Sequence, residues 1–218
     1  MYTPRFVIVQ ILLFCFLFDS ARSQYPIYTP PPVISTGIPS NVMNYYAAAQ
    51  RKNEWCWAAS IQMVLNYYGV NITQDEIVAR TYGLDSNTHE PVNRGATDEA
   101  ITANLNNWGI DDDGKSYIVR AVYLPGIPNA IDFVNQLNNQ SPMIIAYWSS
   151  PYSGHAVVAT GCNYIPTQTG PNVQTITVRD PYPSASNIAN NGKVVYPAQN
   201  LASNVRASWI ITVTTSSQ

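Results

Sequence analysis

The stretch 50-QRKNEWCWAASIQMVLNYYG-69 places one cysteine between two tryptophans at the head of a helical pattern. Trp57, Ile61, Val64, Leu65 and Tyr68 recur at offsets of 4, 7, 8 and 11, one face of a helix, and Gly69 supplies its stop. Cys56 therefore stands at a helix N-terminus, where unpaired N–H groups and the macrodipole favour a negative charge. Two roles are open to it, a nucleophile or a small buried apolar residue. Its partners must decide.

Working outward, 73-TQDE-76 is a capping-box pattern that opens a second helix, with Ile77 and Val78 on its inner face. A third helix begins near Thr97, with Ile101, Leu105 and Trp108 in register, and a fourth covers 130-AIDFVNQL-137. The period then changes. Segments 143-MIIAYW-148, 155-HAVVATGCNY-164, 173-VQTITVRD-180, 193-KVVY-196 and 208-SWIITVT-214 are β-branched or aromatic, separated by Gly, Pro, Asn and Ser. Helices followed by mostly antiparallel strands predict an α+β domain, its N-terminal helical part packed on a C-terminal sheet, and no internal repeat is present.

Residues 1–23 read as a secretory signal peptide cleaved after Ser23: a positive start, the uncharged run 6-FVIVQILLFCFLF-18, then Ala21-Arg22-Ser23. A membrane anchor is the rival, but the run is shorter than the roughly 18 apolar residues a span needs. Residues 24–44 hold Pro26, Pro30, Pro31, Pro32 and Pro39 and read as an extended, poorly ordered leader. Residues 45–218 suffice for one domain with a real core. The formal net charge of -2 and the lack of a Lys/Arg cluster exclude a nucleic-acid surface or polybasic membrane patch. Charged residues make up 11% of the chain, so its surface is polar through amides, hydroxyls and its 15 tyrosines, which suits an extracellular protein. Asn71-Ile72-Thr73 and Asn139-Gln140-Ser141 are sequons.

After the signal, Cys56 and Cys162 are the only cysteines, and His89 and His155 the only histidines. His89 sits in the polar, turn-rich run 85-DSNTHEPVNRG-95, whereas His155 opens a strand after Gly154, where a side chain can project from a sheet end into a cleft. If segments 155–164 and 173–180 form a hairpin whose paired residues sum to 335, His155 and Asp180 are direct cross-strand neighbours. Asp180 would then orient the imidazole; its other reading is a turn former before Pro181. On an unbroken strand Cys162, seven residues past His155, faces the opposite side, which makes it a packing residue and argues against a Cys56–Cys162 disulfide; Gly161 is where a bulge would reset this parity. Gln50, six residues before Cys56, could join the Cys56 N–H as second donor to an oxyanion.

Taken together, Gln50, Cys56, His155 and Asp180 resemble the Gln-Cys-His-Asn/Asp set of papain-like cysteine peptidases. The resemblance is nearest to the short secreted and bacterial branches, the avirulence-effector proteases of plant pathogens and the leader-cleaving peptidases of bacteriocin export. Cys56-Trp57-Ala58-Ala59, then 154-GHAVVATG-161, then 179-RDPYP-183 carry it across most of residues 45 to 214. The chain departs in Glu54-Trp55, where papain has a Gly-containing turn, and in Asp rather than Asn as orienting residue. The resemblance implies a papain-like cysteine proteinase fold over 45–218 and a secreted endopeptidase acting through a thioester. It implies a peptide or protein substrate and a monomer with no stable membrane association once the signal is removed. A peptidoglycan amidase, a transglutaminase-like acyl transferase and a catalytically silent binding module on the same fold are the alternatives. No cofactor is expected: no C-x2-C or H-x3-H spacing exists, and Asp111-Asp112-Asp113-Gly114 places its Gly too early for a calcium loop.

Overall fold

A computed structural model of the protein describes residues 29–106, 108–110, 114–151 and 153–215. The expected signal peptide and the Asp111-Asp112-Asp113 run lie outside the described residues. The described residues from Pro31 onward make one compact unit. Its strands are β1 (Ile34–Gly37), β2 (Tyr117–Pro125), β3 (Met143–Ser150), β4 (Ser153–Thr167), β5 (Gly170–Arg179), β6 (Lys193–Pro197) and β7 (Val205–Thr215). The helices are α1 (Ser40–Tyr46), α2 (Cys56–Tyr67), α3 (Gln74–Tyr82), α4 (Asp98–Leu105), α5 (Ala130–Asn138), α6 (Ala185–Ala189) and α7 (Ala198–Ala202). The strands form one antiparallel sheet in the order β2-β7-β3-β4-β5-β6, with β1 added on β4.

The helix read around Cys56 is α2, and its alanines explain where it lies. Ala58 and Ala59 are fully buried and let the helix come close to β4, where Ala156 and Val158 meet it. Ile61, Val64 and Leu65 are buried in the same cluster, each stabilising by about 1.5–3 kcal/mol. In α3 the capping box is formed: Thr73 accepts from the Glu76 N–H, and Glu76 accepts from the Thr73 N–H at 2.7 Å. Thr97 caps α4, but that helix ends at Leu105. Trp108 is buried beyond it, its indole N–H donating to Asn104 Oδ1 at 3.0 Å. On the other face of the sheet Phe133, Val134 and Leu137 of α5 and Leu201 of α7 pack with Val157, Ala159, Cys162 and Ile176. Helices therefore cover both faces, whereas the sequence pattern predicts one helical half.

Three further differences have local causes. The segment from Ile34 onward is not an extended leader: β1 pairs with β4, and α1 buries Met43. Proline density hid this, because β1 and α1 fit between Pro32 and the alanine run 47–49. Strand β2 alternates, Tyr117 and Val119 buried against Ile118 and Arg120 exposed, but it sits at a sheet edge and its partner β7 ends the chain. The β4–β5 register is Tyr164↔Val173 and Val158↔Arg179, a sum of 337, with bulges between Ala159 and Gly161 and between Asn163 and Tyr164. Cys162 accordingly joins Val157 and Ala159 in one cluster: it is buried as expected, but the bulge before Gly161 has reset the parity.

Candidate active site

The two tryptophans around Cys56 are structural, and they build the cleft wall. Both are buried; Trp55 donates its indole N–H to the Val92 carbonyl and Trp57 to the Arg94 carbonyl, each at 3.0 Å. They hold 92-VNRG-95 beside the helix terminus, so Gly95 lines the cleft with backbone alone. Cys56 is left partly exposed between them, a free thiol at the first turn of α2.

His155 projects from the start of β4. Its Nε2 hydrogen-bonds Asp180 Oδ1 at 2.7 Å, which leaves Nδ1 as the ring nitrogen open to Cys56. The two are not direct cross-strand partners, since the observed register displaces Asp180 by two residues. A two-residue displacement keeps the face, and the diagonal neighbour is still within reach. Burial pulls the imidazolium down. The hydrogen bonds to Asp180 and Cys56 and the charges of both outweigh it, so the His155 pKa rises to about 9. Tyr147, paired with His155 across the β3–β4 ladder, sets its ring edge-on to the imidazole at 5.6 Å and shields it; burial, Tyr196 and the nearby Asp180 and Cys56 charges keep its phenol protonated.

Asp180 is held from several sides. Its Oδ1 also accepts the Tyr182 N–H at 2.9 Å, and its own N–H donates to the Gly192 carbonyl at 2.7 Å. A Cβ on Gly192, whose φ is 70°, would lie 2.6 Å from the Asp180 carbonyl, so only glycine fits. Arg179, 1% exposed, donates to the carbonyls of Asn191 and Ser40, each at 3.0 Å, tying the end of β5 to the β6 turn and to α1.

Gln50 lies in the loop before α2, and its N–H donates to the Pro181 carbonyl at 2.8 Å, so this loop and the Asp180 turn are one assembly. Its Nε2 donates to the Asn53 carbonyl at 2.7 Å and the Lys52 carbonyl at 3.2 Å. Gln74, buried and missed in the sequence, clamps the loop by donating to the Ala49 carbonyl and accepting from the Arg51 N–H. No local signal marks Gln74, because its partners in the loop lie more than 20 residues away. His89 is remote from the cleft lining and has a positive φ of 56° in its turn.

A cleft of about 430 Å3 brings Cys56 and His155 together. Gly95, Ala146, Gly154 and Ala156 line it with small residues beside Trp57, and Trp148, 52% exposed, makes a rim. The Asp98–Arg206 ion pair crosses one end from α4 to β7, with the guanidinium 5.2 Å from the Trp148 ring centroid.

Cys56 on α2 faces His155 on β4, with Asp180 just beyond the end of β5, across a cleft between helices and an antiparallel sheet, and the chain is a papain-like cysteine peptidase. The family model described as "Peptidase_C39 like family" matches residues 42–217, and the chain belongs to that family. A search of curated proteins finds no match. Among solved structures, a double glycine motif protease from an AMS/PCAT transporter, crystallised with a leader peptide, is 18% identical. The alignment covers 77% of this chain and 91% of that one, with a TM-score of 0.48. The peptidase domain of Streptococcus ComA, a bifunctional ABC transporter of a quorum-sensing pathway, is 14% identical over 76% of this chain and 96% of that one, also at 0.48.

Proposed function

We propose that the protein is a secreted cysteine endopeptidase in which Cys56, His155 and Asp180 act as nucleophile, base and orienting residue. The observation that carries this reading is the 2.7 Å His155–Asp180 hydrogen bond beside Cys56, with the imidazole pKa raised to about 9 by those two groups. At neutral pH His155 is then an imidazolium, poised beside the Cys56 nucleophile from which acyl transfer starts. Cys56 attacks the peptide carbonyl, and the developing oxyanion takes hydrogen bonds from the Cys56 N–H and Gln50 Nε2. Gln50 Nε2 donates to two backbone carbonyls, so in this reading it gives up the longer bond, to Lys52, to reach the oxyanion. His155 protonates the leaving amine, and water hydrolyses the thioester. The substrate is an extended peptide, because the lining of glycines and alanines admits a backbone at close range.

Residues 1–23 are proposed as the signal peptide and the folded enzyme as a monomer; N-terminal sequencing of secreted material should start at Gln24. The test of mechanism is thiol chemistry. Iodoacetamide should label one site, Cys56, faster than a free thiol at mildly acidic pH. Cys162, whose pKa burial pushes up to about 11, should label only after denaturation. A mixed peptide library read by mass then separates endopeptidase from amidase or acyl transferase. Labelling without any peptide cleavage would end the endopeptidase reading.

A further inference from the structure

A second concave site lies at the far end of α2. It opens about 360 Å3 between Tyr45, Tyr46, Gln62 and Asn66 over a floor of Ala47 and Ala48. That volume is within the range of small-ligand clefts. Asn66 is about 15 Å along the helix from Cys56, and the two sites share no lining residue. This site is independent of the peptidase reading.

Its chemistry is neutral and directional. Gln62 Oε1 accepts from Gln74 Nε2 at 3.0 Å, and Asn66 Oδ1 accepts from the Ile72 N–H at 3.1 Å. Both amide oxygens are thus bound to the protein, and among the described residues no acceptor takes either NH2 group, so two oriented donors line one cavity. Tyr45 is 84% exposed, yet its ring is braced: it meets Tyr46 edge-on at 5.0 Å, and Tyr46 meets Tyr67 at 5.6 Å. Among the described residues no charged side chain lines the cavity. An anionic or cationic ligand would find no counter-charge, and an apolar one would strand both amides.

We propose that this groove binds a neutral glycan. A sugar ring presents an apolar C–H face that lies flat on an aromatic ring. Its neighbouring hydroxyls accept from closely spaced amide donors, whereas an extended peptide spaces its carbonyls along the chain. The glycan has two possible sources with the same chemistry. Asn71 lines the same cavity and heads the sequon Asn71-Ile72-Thr73, so the sugar is either carried on Asn71 or belongs to a separate polysaccharide.

The experiment has one arm for each source. Full-length protein made in a host that adds no N-glycans is titrated calorimetrically with chitotetraose, cellotetraose, laminaritetraose and mannotetraose. At least one should bind, and Tyr45→Ala should weaken it about tenfold while the melting temperature stays that of wild type; Gln62→Ala should weaken it by a similar factor. In an N-glycosylating host, a glycan on Asn71 should resist endoglycosidase in the wild type and be trimmed faster in Tyr45→Ala. Either result supports the proposal. It is overturned if no sugar binds and the Asn71 glycan is absent or trimmed equally fast in both proteins. Sugar binding that neither substitution affects overturns it too, as does binding of a proline-rich peptide when no sugar binds.

Discussion

His155 gains more from its partners than it loses to burial, and this sets two pH dependences. Its folded pKa of about 9 lies above the unperturbed 6.5, so its contribution to stability is complete below pH 6.5 and is lost as the pH rises through about 9. Turnover should fall over the same alkaline range, as the proton needed by the leaving amine is lost. In Asp180→Ala the raising hydrogen bond and charge are gone, so the alkaline limb of kcat/KM should move to lower pH with measurable turnover remaining. An unmoved limb would mean that another group holds the proton. Gln50 is tested separately. Gln50→Ala should lower kcat by about 10² to 10³ with little change in KM, because an oxyanion donor acts only after charge develops, while iodoacetamide labelling of Cys56 stays near wild type. These four residues could be named as candidates from the sequence because residue type and order carry them. Gln74, Tyr147 and Arg179 could not, because a glutamine, a tyrosine and an arginine become positioning residues only through partners distant in the chain.

At the scale of elements, the end of β5 and the turn before β6 act as one device. The Asp180 N–H and Gly192 carbonyl close it, Arg179 braces it, and Pro181 receives the Gln50 loop. Gly192→Ala would drive a Cβ to 2.6 Å from the Asp180 carbonyl at a positive φ, so the turn must shift and carry Asp180 with it. The expected outcome is a loss of activity comparable to Asp180→Ala, with the same shift of the alkaline limb and a lower melting temperature. A Gly192→Ala enzyme with an unchanged pH profile would separate this turn from His155. Element existence was legible where the period was strong, as in α2, α3 and α5. The register of β4 against β5 was not, because its bulges fall where β1, distant in the chain, joins β4: Thr36 pairs with Cys162 and Gly37 with Gly161.

Across the whole molecule, β1 is the strap that completes the sheet. Gly37 packs against the Thr160 carbonyl and Gly161 so tightly that it has no room for a side chain. A chain starting at Val33 should melt like the full-length protein. One starting at Ser40 should melt on the order of 5 °C lower and self-associate, because it exposes the outer part of β4 as an unpaired edge. Equal melting temperatures for the two would show that β1 contributes no stability.

The sequence by itself determined the α+β class and the helix that presents Cys56, and it named Gln50, Cys56, His155 and Asp180 as candidates. Periodicity, capping and residue type are local properties that survive in a one-dimensional string. Only the tertiary structure decided which atoms meet. The index sum of 335 put His155 beside Asp180, and the real register of 337 keeps them bonded because a shift of two preserves the face. A shift of one, as at the bulge before Gly161, moved Cys162 to the other side. Burial on both faces of the sheet and the bracing of Asp180 through Arg179 and Gly192 arise when distant segments compete for the same space. That competition has no period, so it has no sequence signature.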